Sequence, residues 1–255
     1  MEKVVEILDI SMNYHTLNGE TQAIEKLSFD VLNGEFVSIV GPSGCGKSTL
    51  LSLISGILKP SKGKILIKNI EVQGPSSNVG YMLQKDHLFE WRTIIKNVII
   101  GLEIQGKLNK DSYDFAEKLL KEYGLYEFRN HYPRQLSGGM RQRAALIRTL
   151  AINPDILLLD EPFSALDYQT RIAISEEIWL IIKKEKKTAI LVTHDIAEAI
   201  SMSDRIIVLT KRPAEIKYVH NISLTCDNKT PITCREAPEF RFYFNSIWKE
   251  LDVHV

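Results

Sequence analysis

The stretch VGPSGCGKSTLL, Val40 to Leu51, combines three glycines and a proline with a lysine and two hydroxyl residues. Within it, Gly41 to Ser48 match the spacing G-x-x-x-x-G-K-[ST], in which glycines let backbone N–H groups point at phosphate oxygens. The stretch follows a predicted strand, EFVSIV, and opens a predicted helix, KSTLLSLISGIL, whose N-terminus adds positive potential. This context predicts a phosphate-binding loop rather than a glycine-rich turn with a surface lysine.

The loop residues expected to bind a nucleotide are Gly41, Pro42, Ser43, Gly44, Cys45, Gly46, Lys47, Ser48 and Thr49. Lys47 is expected to reach the β- and γ-phosphates, Ser48 to ligate Mg²⁺, and Thr49 to contact the region of the α-phosphate. Cys45 lies beside Lys47 and the helix start, and both features favour the thiolate. The alternative is that Cys45 is a small residue that only fits the turn.

A second group of reactive side chains ends the apolar run ILLLDE. Four consecutive apolar residues predict a strand that is buried on both faces, and ligands of open α/β sheets bind beyond the carboxyl ends of such strands. Asp160 is therefore placed to hold Mg²⁺ through water, and Glu161 to polarise the water that attacks a γ-phosphate. The alternative, an acidic strand end without a role, is disfavoured by the phosphate loop upstream.

The stretch QLSGGMRQR, Gln135 to Arg143, predicts a second helix start that binds an anion. Ser137, Gly138 and Gly139 form its N-terminal cap. One chain then has two phosphate-binding helix starts but only one lysine-containing loop. With these motifs, residues 4 to 210 resemble the ATP-binding-cassette (ABC) ATPases. In that family the LSGG helix of one subunit contacts the γ-phosphate held by the other, so the resemblance implies a head-to-tail homodimer that encloses two nucleotides.

The remaining family motifs follow in order. Gln84 in YMLQKD resembles the glutamine that senses Mg²⁺ and water, and His194 in LVTHD resembles the switch histidine that contacts the γ-phosphate. Tyr14 matches an aromatic residue that stacks on adenine, although a tyrosine that ends a strand often only packs. The stretch SALD resembles the loop that crosses the dimer interface, and its residues are Ser164, Ala165, Leu166 and Asp167.

By this resemblance, four residues are expected to take part in catalysis: Glu161, His194, Gln84 and Lys47. The residues expected at the metal are Ser48, Gln84 and, through water, Asp160. Mg²⁺ is the expected cofactor, with ATP as the substrate.

The elements that position these residues alternate between strands and helices, which predicts a parallel sheet covered by helices. The expected fold class is α/β, a P-loop NTPase core with N-terminal antiparallel strands and a helical subdomain. We expect an ATPase domain over residues 1–225, with the helical subdomain at about 90–150, and a short C-terminal helical extension over 226–255. In that extension, Phe240, Phe244, Ile247, Trp248 and Leu251 share one helical face, which is expected to pack on its own domain.

Composition excludes several classes of protein. Lys plus Arg and Asp plus Glu number 32 each, and this balance gives no support for a nucleic-acid-binding face. The N-terminus MEKVVEILDI is not a signal peptide, and no apolar run approaches the roughly 18 residues that span a bilayer. The three cysteines lack metal-site spacing, which fits a reducing cytosol. We expect a peripheral protein at the cytoplasmic face of a bacterial membrane.

Two stretches indicate a subgroup of the family. HLFEWRTIIKNVIIGLEIQGK resembles a segment of the nitrate/sulfonate/taurine importer ATPases, with Glu90 in place of the usual proline, and APEFRFYFNSIWKEL resembles the C-terminal helix of that group. The expected partners are a second copy of the chain, two transmembrane permease subunits and a periplasmic or lipid-anchored solute-binding protein. Trp91 in the first stretch is either an exposed anchor for the permease or a core residue.

Two other functions remain open at this point. One is the ATPase of an exporter or of a lipoprotein-release system, whose subunits have a similar size. The other is a soluble ABC ATPase that acts on nucleic acid or ribosomes, which the zero net charge and the single cassette disfavour.

Overall fold

A computed structural model of the protein describes residues 2–16, 19–226 and 228–251. The predicted turn HTLNGET therefore includes two residues, 17 and 18, outside the described ranges, and so do residues 227 and 252–255 of the predicted C-terminal extension. The chain forms two compact units, one of residues 1–76 and 179–255 and the other of residues 77–178. Across the described ranges, no helix is long and apolar enough to cross a bilayer.

Along the chain, the strands are β1 (Lys3–Thr16), β2 (Gly19–Leu32), β3 (Phe36–Val40), β4 (Lys62–Ile67), β5 (Ile70–Glu71), β6 (Val79–Met82), β7 (Ile156–Asp160), β8 (Thr188–Val192), β9 (Arg205–Leu209) and β10 (Ile216–Asn221). The α-helices are α1 (Lys47–Ile54), α2 (Ile94–Val98), α3 (Ile100–Ile104), α4 (Lys110–Glu122), α5 (Gly138–Ala151), α6 (Tyr168–Lys184), α7 (Ile196–Met202), α8 (Pro231–Cys234) and α9 (Phe240–Glu250).

The first unit contains two groups of strands. The N-terminal strands β1 and β2 pair antiparallel, as the sequence predicts. They belong to an antiparallel sheet in the order β2-β1-β4-β5, an order that the sequence does not indicate. In the second group, β3 lies between β8 and β9 and pairs with both in parallel. Every residue of β3 and β8 is buried, and each strand is apolar except for one small hydroxyl residue, Ser38 in β3 and Thr188 in β8.

Strand β10 is absent from the sequence-based prediction. It pairs antiparallel with β9 at the edge of the group, and its residues are exposed or only half-buried. An edge strand of this kind has no buried face, so its sequence, IKYVHN, lacks the apolar run that marks the other core strands.

Helix α1 is shorter than predicted. The apolar pattern continues to Leu58, but the helix ends at Ile54. Gly56 follows with a φ of 77°, a left-handed conformation that commonly terminates helices, and a Cβ at this position would lie 2.2 Å from the carbonyl oxygen of Gly74. Backbone geometry at Gly56 therefore overrides the apolar pattern.

Helix α9 packs on its own unit, as expected. Ile247 is fully buried in a cluster with apolar residues of α7 and β9, and Phe240, Phe244 and Leu251 pack against that cluster. Trp248 departs from the prediction, since 43% of its surface is exposed and its ring stacks on Phe244. Of the predicted apolar face, Ile247 is therefore buried, Phe240, Phe244 and Leu251 are partly buried, and Trp248 is exposed.

The second unit contains the parallel pair β6 and β7 and the helices α2 to α5. All five residues of β7 are buried, in agreement with the predicted buried strand. Helix α5 packs against α2, α3, α4 and β6, so it is the central helix of this unit.

Candidate functional site

The phosphate loop joins β3 to α1 in the first unit. Gly46, the N-cap of α1, has a φ of 123°, which only glycine adopts without strain, and it provides no side chain that could cap the helix. The first N–H groups of a helix have no partner within the helix, and a loop without a capping side chain leaves them to be satisfied by an anion. The backbone thus has the geometry expected of a phosphate loop.

Lys47 is held within this loop. Its side chain is buried, and Nζ donates hydrogen bonds to the carbonyl oxygens of Gly41 at 2.8 Å and Pro42 at 3.1 Å. The ammonium is therefore positioned by the backbone of the loop itself. A buried, preoriented cation suits the binding of phosphate oxygens, since its charge is weakly screened by water.

Tyr14 and Thr49 lie together at the start of α1. The Tyr14 hydroxyl and Thr49 Oγ1 are 3.1 Å apart, and both side chains are partly buried. This bond joins the N-terminal antiparallel sheet to the phosphate loop. Tyr14 therefore has a fixed place beside the residues expected to bind the nucleotide.

The expectation that Cys45 is a reactive thiolate is wrong. Only 1% of its surface is exposed, and burial raises the pKa of its thiol despite the opposing effect of the Lys47 charge. The apolar surroundings outweigh the nearby cation, so the thiol form is favoured. Cys45 fills space in the turn, which is the alternative that the sequence left open.

His194 follows the buried strand β8 and is exposed. The residues around it are fixed by hydrogen bonds. The hydroxyl of Thr193 donates to Glu198 at 2.8 Å and accepts from the N–H of Asp195 at 3.0 Å, while Asp195 caps α7 through the N–H of Ala197 at 2.8 Å. A rigid turn thus presents the imidazole at the carboxyl end of a strand.

Gln84 and Glu161 are brought together in the second unit. In the parallel pair β6 and β7, Met82 lies opposite Leu159, and both Gln84 and Glu161 come two residues later. Gln84 Nε2 donates a hydrogen bond to Glu161 Oε2 at 3.1 Å. Sequence spacing predicted both residues but not this contact, which follows from the register of the strands.

Asp160 occupies the end of β7 and is 6% exposed. The hydroxyl of Tyr81 donates to its Oδ2 at 3.2 Å. Tyr81 was not predicted as a site residue, because it neighbours Asp160 only through the pairing of β6 and β7. Carboxylate and amide oxygens at adjoining strand ends, from Asp160 and Gln84, are hard donors of the kind that Mg²⁺ accepts.

The backbone of Glu161 is strained. Its φ is 44°, which is uncommon for a residue with a side chain and recurs at functional sites. The following turn is closed by the Ser164 hydroxyl, which donates to the carbonyl oxygen of Glu161 at 3.0 Å. The turn therefore fixes the backbone from which the side chain of Glu161 extends beyond the strand.

The predicted interface loop divides into exposed and buried residues. Ala165 and Asp167 are exposed, whereas Leu166 is buried. Hydrogen bonds from Thr170 lower the pKa of Asp167, so its carboxylate stays charged and caps the start of α6. The side chain of Leu166 is buried within its own unit. The exposed residues, Ala165 and Asp167, are the ones that a partner could contact.

The SGG stretch begins helix α5. The hydroxyl of Ser137 accepts from the N–H of Met140 at 3.3 Å, as predicted for a cap. Gly139 is buried, and a Cβ there would lie 3.0 Å from Ile174 Cδ1, so a side chain at this position would crowd Ile174. Ser137 itself is exposed, so this helix start is accessible.

Trp91 is 75% exposed, which rules out the interpretation as a core residue. Its ring lies 4.9 Å from that of Phe89. The segment is fixed by Asn97, which is fully buried, accepts from the N–H of Phe89 at 2.7 Å and donates to the carbonyl oxygens of Arg92 at 3.0 Å and Thr93 at 3.1 Å. Asn97 was not recognised from the sequence, because an asparagine inside a helical pattern gives no such indication.

Arg148 fixes the loop that follows Gln84. It donates to the carbonyl oxygens of Asp86 at 2.6 Å and His87 at 2.7 Å. Arg141 adds an ion pair with Asp86 at 3.2 Å. Two arginines of α5 thus connect the helix that starts at Ser137 to the loop between Gln84 and Trp91.

Comparison with known proteins identifies relatives along nearly the whole chain. The family described as "ABC transporter" matches residues 24–164. The uncharacterized ABC transporter ATP-binding protein YtlC of Bacillus subtilis is 46% identical over 243 residues, which are 95% of this chain and 94% of that protein. The nitrate import ATP-binding protein NrtD of Synechocystis sp. is 39% identical over 95% of this chain and 93% of its own length. The taurine import ATP-binding protein TauB of Jannaschia sp. is 41% identical over 82% of this chain and 79% of its own length.

The chain also resembles solved structures. One is the dimeric post-hydrolysis structure of the ATP-binding cassette MJ0796 bound to ADP and Pi, with a TM-score of 0.74 and 32% identity. The similarity covers 86% of this chain and 99% of that chain.

Proposed function

This chain belongs to the ABC transporter family, and we propose that it energises the import of a small solute through a separate permease. It is an ATPase coupled to transport. The proposed solute class is that of the nitrate/sulfonate/taurine systems. The proposed domain limits are those expected from the sequence, namely 1–225 for the ATPase domain and 226–255 for the extension.

The import assignment rests on one observation, the similarity to relatives named for import over nearly their whole length. The nitrate import ATP-binding protein NrtD aligns over 95% of this chain and the taurine import ATP-binding protein TauB over 82%. The alignments are too long to reflect only the phosphate loop and the strand that ends at Asp160, which many classes of ATPase share.

We propose that the loop residues 41–49 bind the phosphates of ATP and that Tyr14 stacks on adenine. Lys47, buried and held by the carbonyl oxygens of Gly41 and Pro42, supplies the cation. Ser48, Gln84 and, through water, Asp160 are the proposed residues at Mg²⁺. When bound, Mg²⁺ neutralises charge on the β- and γ-phosphates.

Glu161 is the proposed general base for hydrolysis. Its backbone is strained, and its carboxylate is oriented by the hydrogen bond from Gln84. A carboxylate oriented in this way can accept hydrogen bonds from a water and polarise it for attack on phosphorus. His194, presented by its rigid turn, is proposed to contact the γ-phosphate and help keep that water in place.

We further propose that two copies of the chain enclose two ATP molecules. The helix start at Ser137, Gly138 and Gly139, of which Ser137 is exposed, would contact the nucleotide of the other copy. The loop of residues 164–167, with Ala165 and Asp167 exposed, would lie at the interface. ATP binding closes the dimer and hydrolysis opens it. Two permease subunits convert this motion into solute movement, and the assembly lies at the cytoplasmic face of the membrane.

The test is to express this chain with the permease encoded next to it and to purify the complex through a tag on the permease. In proteoliposomes with the matching solute-binding protein outside, ATP inside should drive uptake of nitrate, taurine or an alkanesulfonate. Lys47→Ala is the control for ATP dependence. ATP-dependent movement of solute only out of the vesicle interior would refute import, and an absent complex would refute the permease partnership.

A further inference from the structure

Two of the three cysteines lie against each other in the C-terminal part of the first unit. The sulfur atoms of Cys226 and Cys234 are 3.2 Å apart, although the residues are eight positions apart in the chain. A disulfide bond is about 2.05 Å long, so a shift of roughly 1 Å would allow the two sulfurs to bond. Neither thiol takes part in the nucleotide site described above.

Hydrogen bonds fix the chain on both sides of this pair. Cys234 ends helix α8, which begins with Pro231 and is capped by Thr230 and Thr233 through reciprocal hydrogen bonds. Beside Cys226, Thr225 donates to Glu239 from its hydroxyl at 2.7 Å and from its N–H at 3.1 Å. Helix α8 therefore fixes the position of Cys234, and the hydrogen bonds to Glu239 at the start of α9 fix the segment that carries Cys226.

The two thiols differ in access. A cavity of about 360 Å³ is lined by Thr225, Cys226, Asn228, Thr233, Glu236 and Ala237. Cys226 borders this cavity and is half-buried, whereas Cys234 is 1% exposed and does not border it. A small oxidant would reach Cys226 first, and Cys234 would be the nearest nucleophile to the oxidised sulfur.

We propose that Cys226 and Cys234 form a reversible intramolecular disulfide when the protein meets a peroxide. The Cys226 thiolate attacks one oxygen of the peroxide, the O–O bond breaks, and the leaving hydroxide takes a proton to become water. The Cys234 thiolate then attacks the sulfenic acid, the S–S bond forms, and the S–O bond breaks with release of a second water. Two thiols and one hydrogen peroxide thus give one disulfide and two waters, and a dithiol reductant reverses the change.

The disulfide would restrain the segment that packs against α7. Helix α8 contacts α7, which begins two residues after His194, and Lys229 forms an ion pair with Asp204 at 3.3 Å. Joining the two thiols reduces the freedom of the unfolded chain, so oxidation is expected to raise the melting temperature by about 5 °C.

The experiment treats the full-length protein with hydrogen peroxide and then with the sulfenic-acid reagent dimedone, followed by mass spectrometry of non-reduced peptides. The mass of the wild-type protein should fall by two hydrogens, and its digest should contain a peptide cross-linked between Cys226 and Cys234. The oxidised protein should melt at a higher temperature. Dithiothreitol should reverse all of these changes.

Two serine variants test which cysteine reacts with the peroxide and which one then forms the disulfide. In Cys234→Ser, dimedone labelling of Cys226 should rise at least about tenfold above wild type, because the sulfenic acid has no resolving thiol. In Cys226→Ser, the same peroxide dose should leave Cys234 reduced. Equal labelling of Cys226 in wild type and Cys234→Ser, or cross-links that involve Cys45 or two chains, would overturn the proposal.

Discussion

Cys45 illustrates how a single residue can differ from its motif. Its neighbours in sequence, Lys47 and a helix start, are those of a reactive thiolate, but burial raises its pKa. The effect of desolvation is invisible in the sequence, since it depends on the side chains that the fold places around the sulfur.

We therefore expect maleimide to label Cys45 slowly at neutral pH and more slowly than Cys226, which is half-buried. The labelling rate of Cys45 should rise as the pH increases, because burial raises the pKa of its thiol and the reactive thiolate forms only at higher pH than for an ordinary cysteine. Bound Mg-ATP should slow the labelling further, and a completed adduct should block ATP binding. Peptide mass spectrometry measures both rates, and labelling of Cys45 ahead of Cys226 would show that the thiol is accessible and ionised.

Trp91 is the second residue for which exposure is informative. Because most of its surface is exposed, Trp91→Ala should leave the melting temperature and the basal ATPase activity of the isolated chain nearly unchanged. As the proposed anchor, it should weaken permease binding in a pull-down, since tryptophan is frequent among residues that dominate binding energy.

The control for Trp91 is Ile104→Ala, which removes a similarly exposed apolar side chain from α3. If Trp91→Ala retains full permease binding, or if both variants lose it equally, Trp91 is not a specific anchor.

At the scale of elements, the segment that presents Trp91 depends on Asn97 in α2. The Asn97→Ala protein should lose about 2–4 kcal/mol of unfolding free energy, because the fully buried Asn97 amide is removed and the partly buried backbone groups of Phe89, Arg92 and Thr93 lose their hydrogen bonds to it. Urea denaturation measures the loss. Lys96→Ala, an exposed change in the same helix, should stay within about 0.5 kcal/mol of wild type. Equal stability of the two variants would mean that Asn97 does not hold the segment.

The sequence predicted elements well where one physical rule dominated. The buried strand that ends at Asp160 and the cap at Ser137 follow from apolar runs and capping chemistry, and both are present. Helix α1 was predicted too long, because the left-handed Gly56 ends it before the apolar pattern does. Strand β10 was missed because an exposed edge strand has little apolar periodicity.

Contacts within the candidate site were less predictable than its residues. Gln84 and Glu161 were both identified, but their 3.1 Å hydrogen bond depends on the register of β6 and β7. The meeting of Cys226 and Cys234 depends on how α8 folds back, so the sequence showed only scattered cysteines.

At the scale of the whole molecule, the family and the fold class expected from the sequence are confirmed. The chain belongs to the ABC transporter family and shares its cassette fold with the MJ0796 structure at a TM-score of 0.74. The relatives named for import support the proposed direction of transport. Sequence alone assigns no particular solute, since the solute is not expected to touch this subunit.

Glu161→Gln is the decisive variant for the proposal that the chain hydrolyses ATP as a dimer with Glu161 as the base. This variant keeps the size of the side chain and one oxygen that can accept from Gln84, but the neutral amide cannot act as the base, so the hydrolysis rate should fall by about 10²–10⁴-fold. ATP should still bind, and size-exclusion chromatography with Mg-ATP should show a stable dimer. Lys47→Ala, which loses the loop cation, should remain a monomer under the same conditions. Hydrolysis by Glu161→Gln at the wild-type rate, without an ATP-dependent dimer, would show that Glu161 is not the base of a dimeric ATPase.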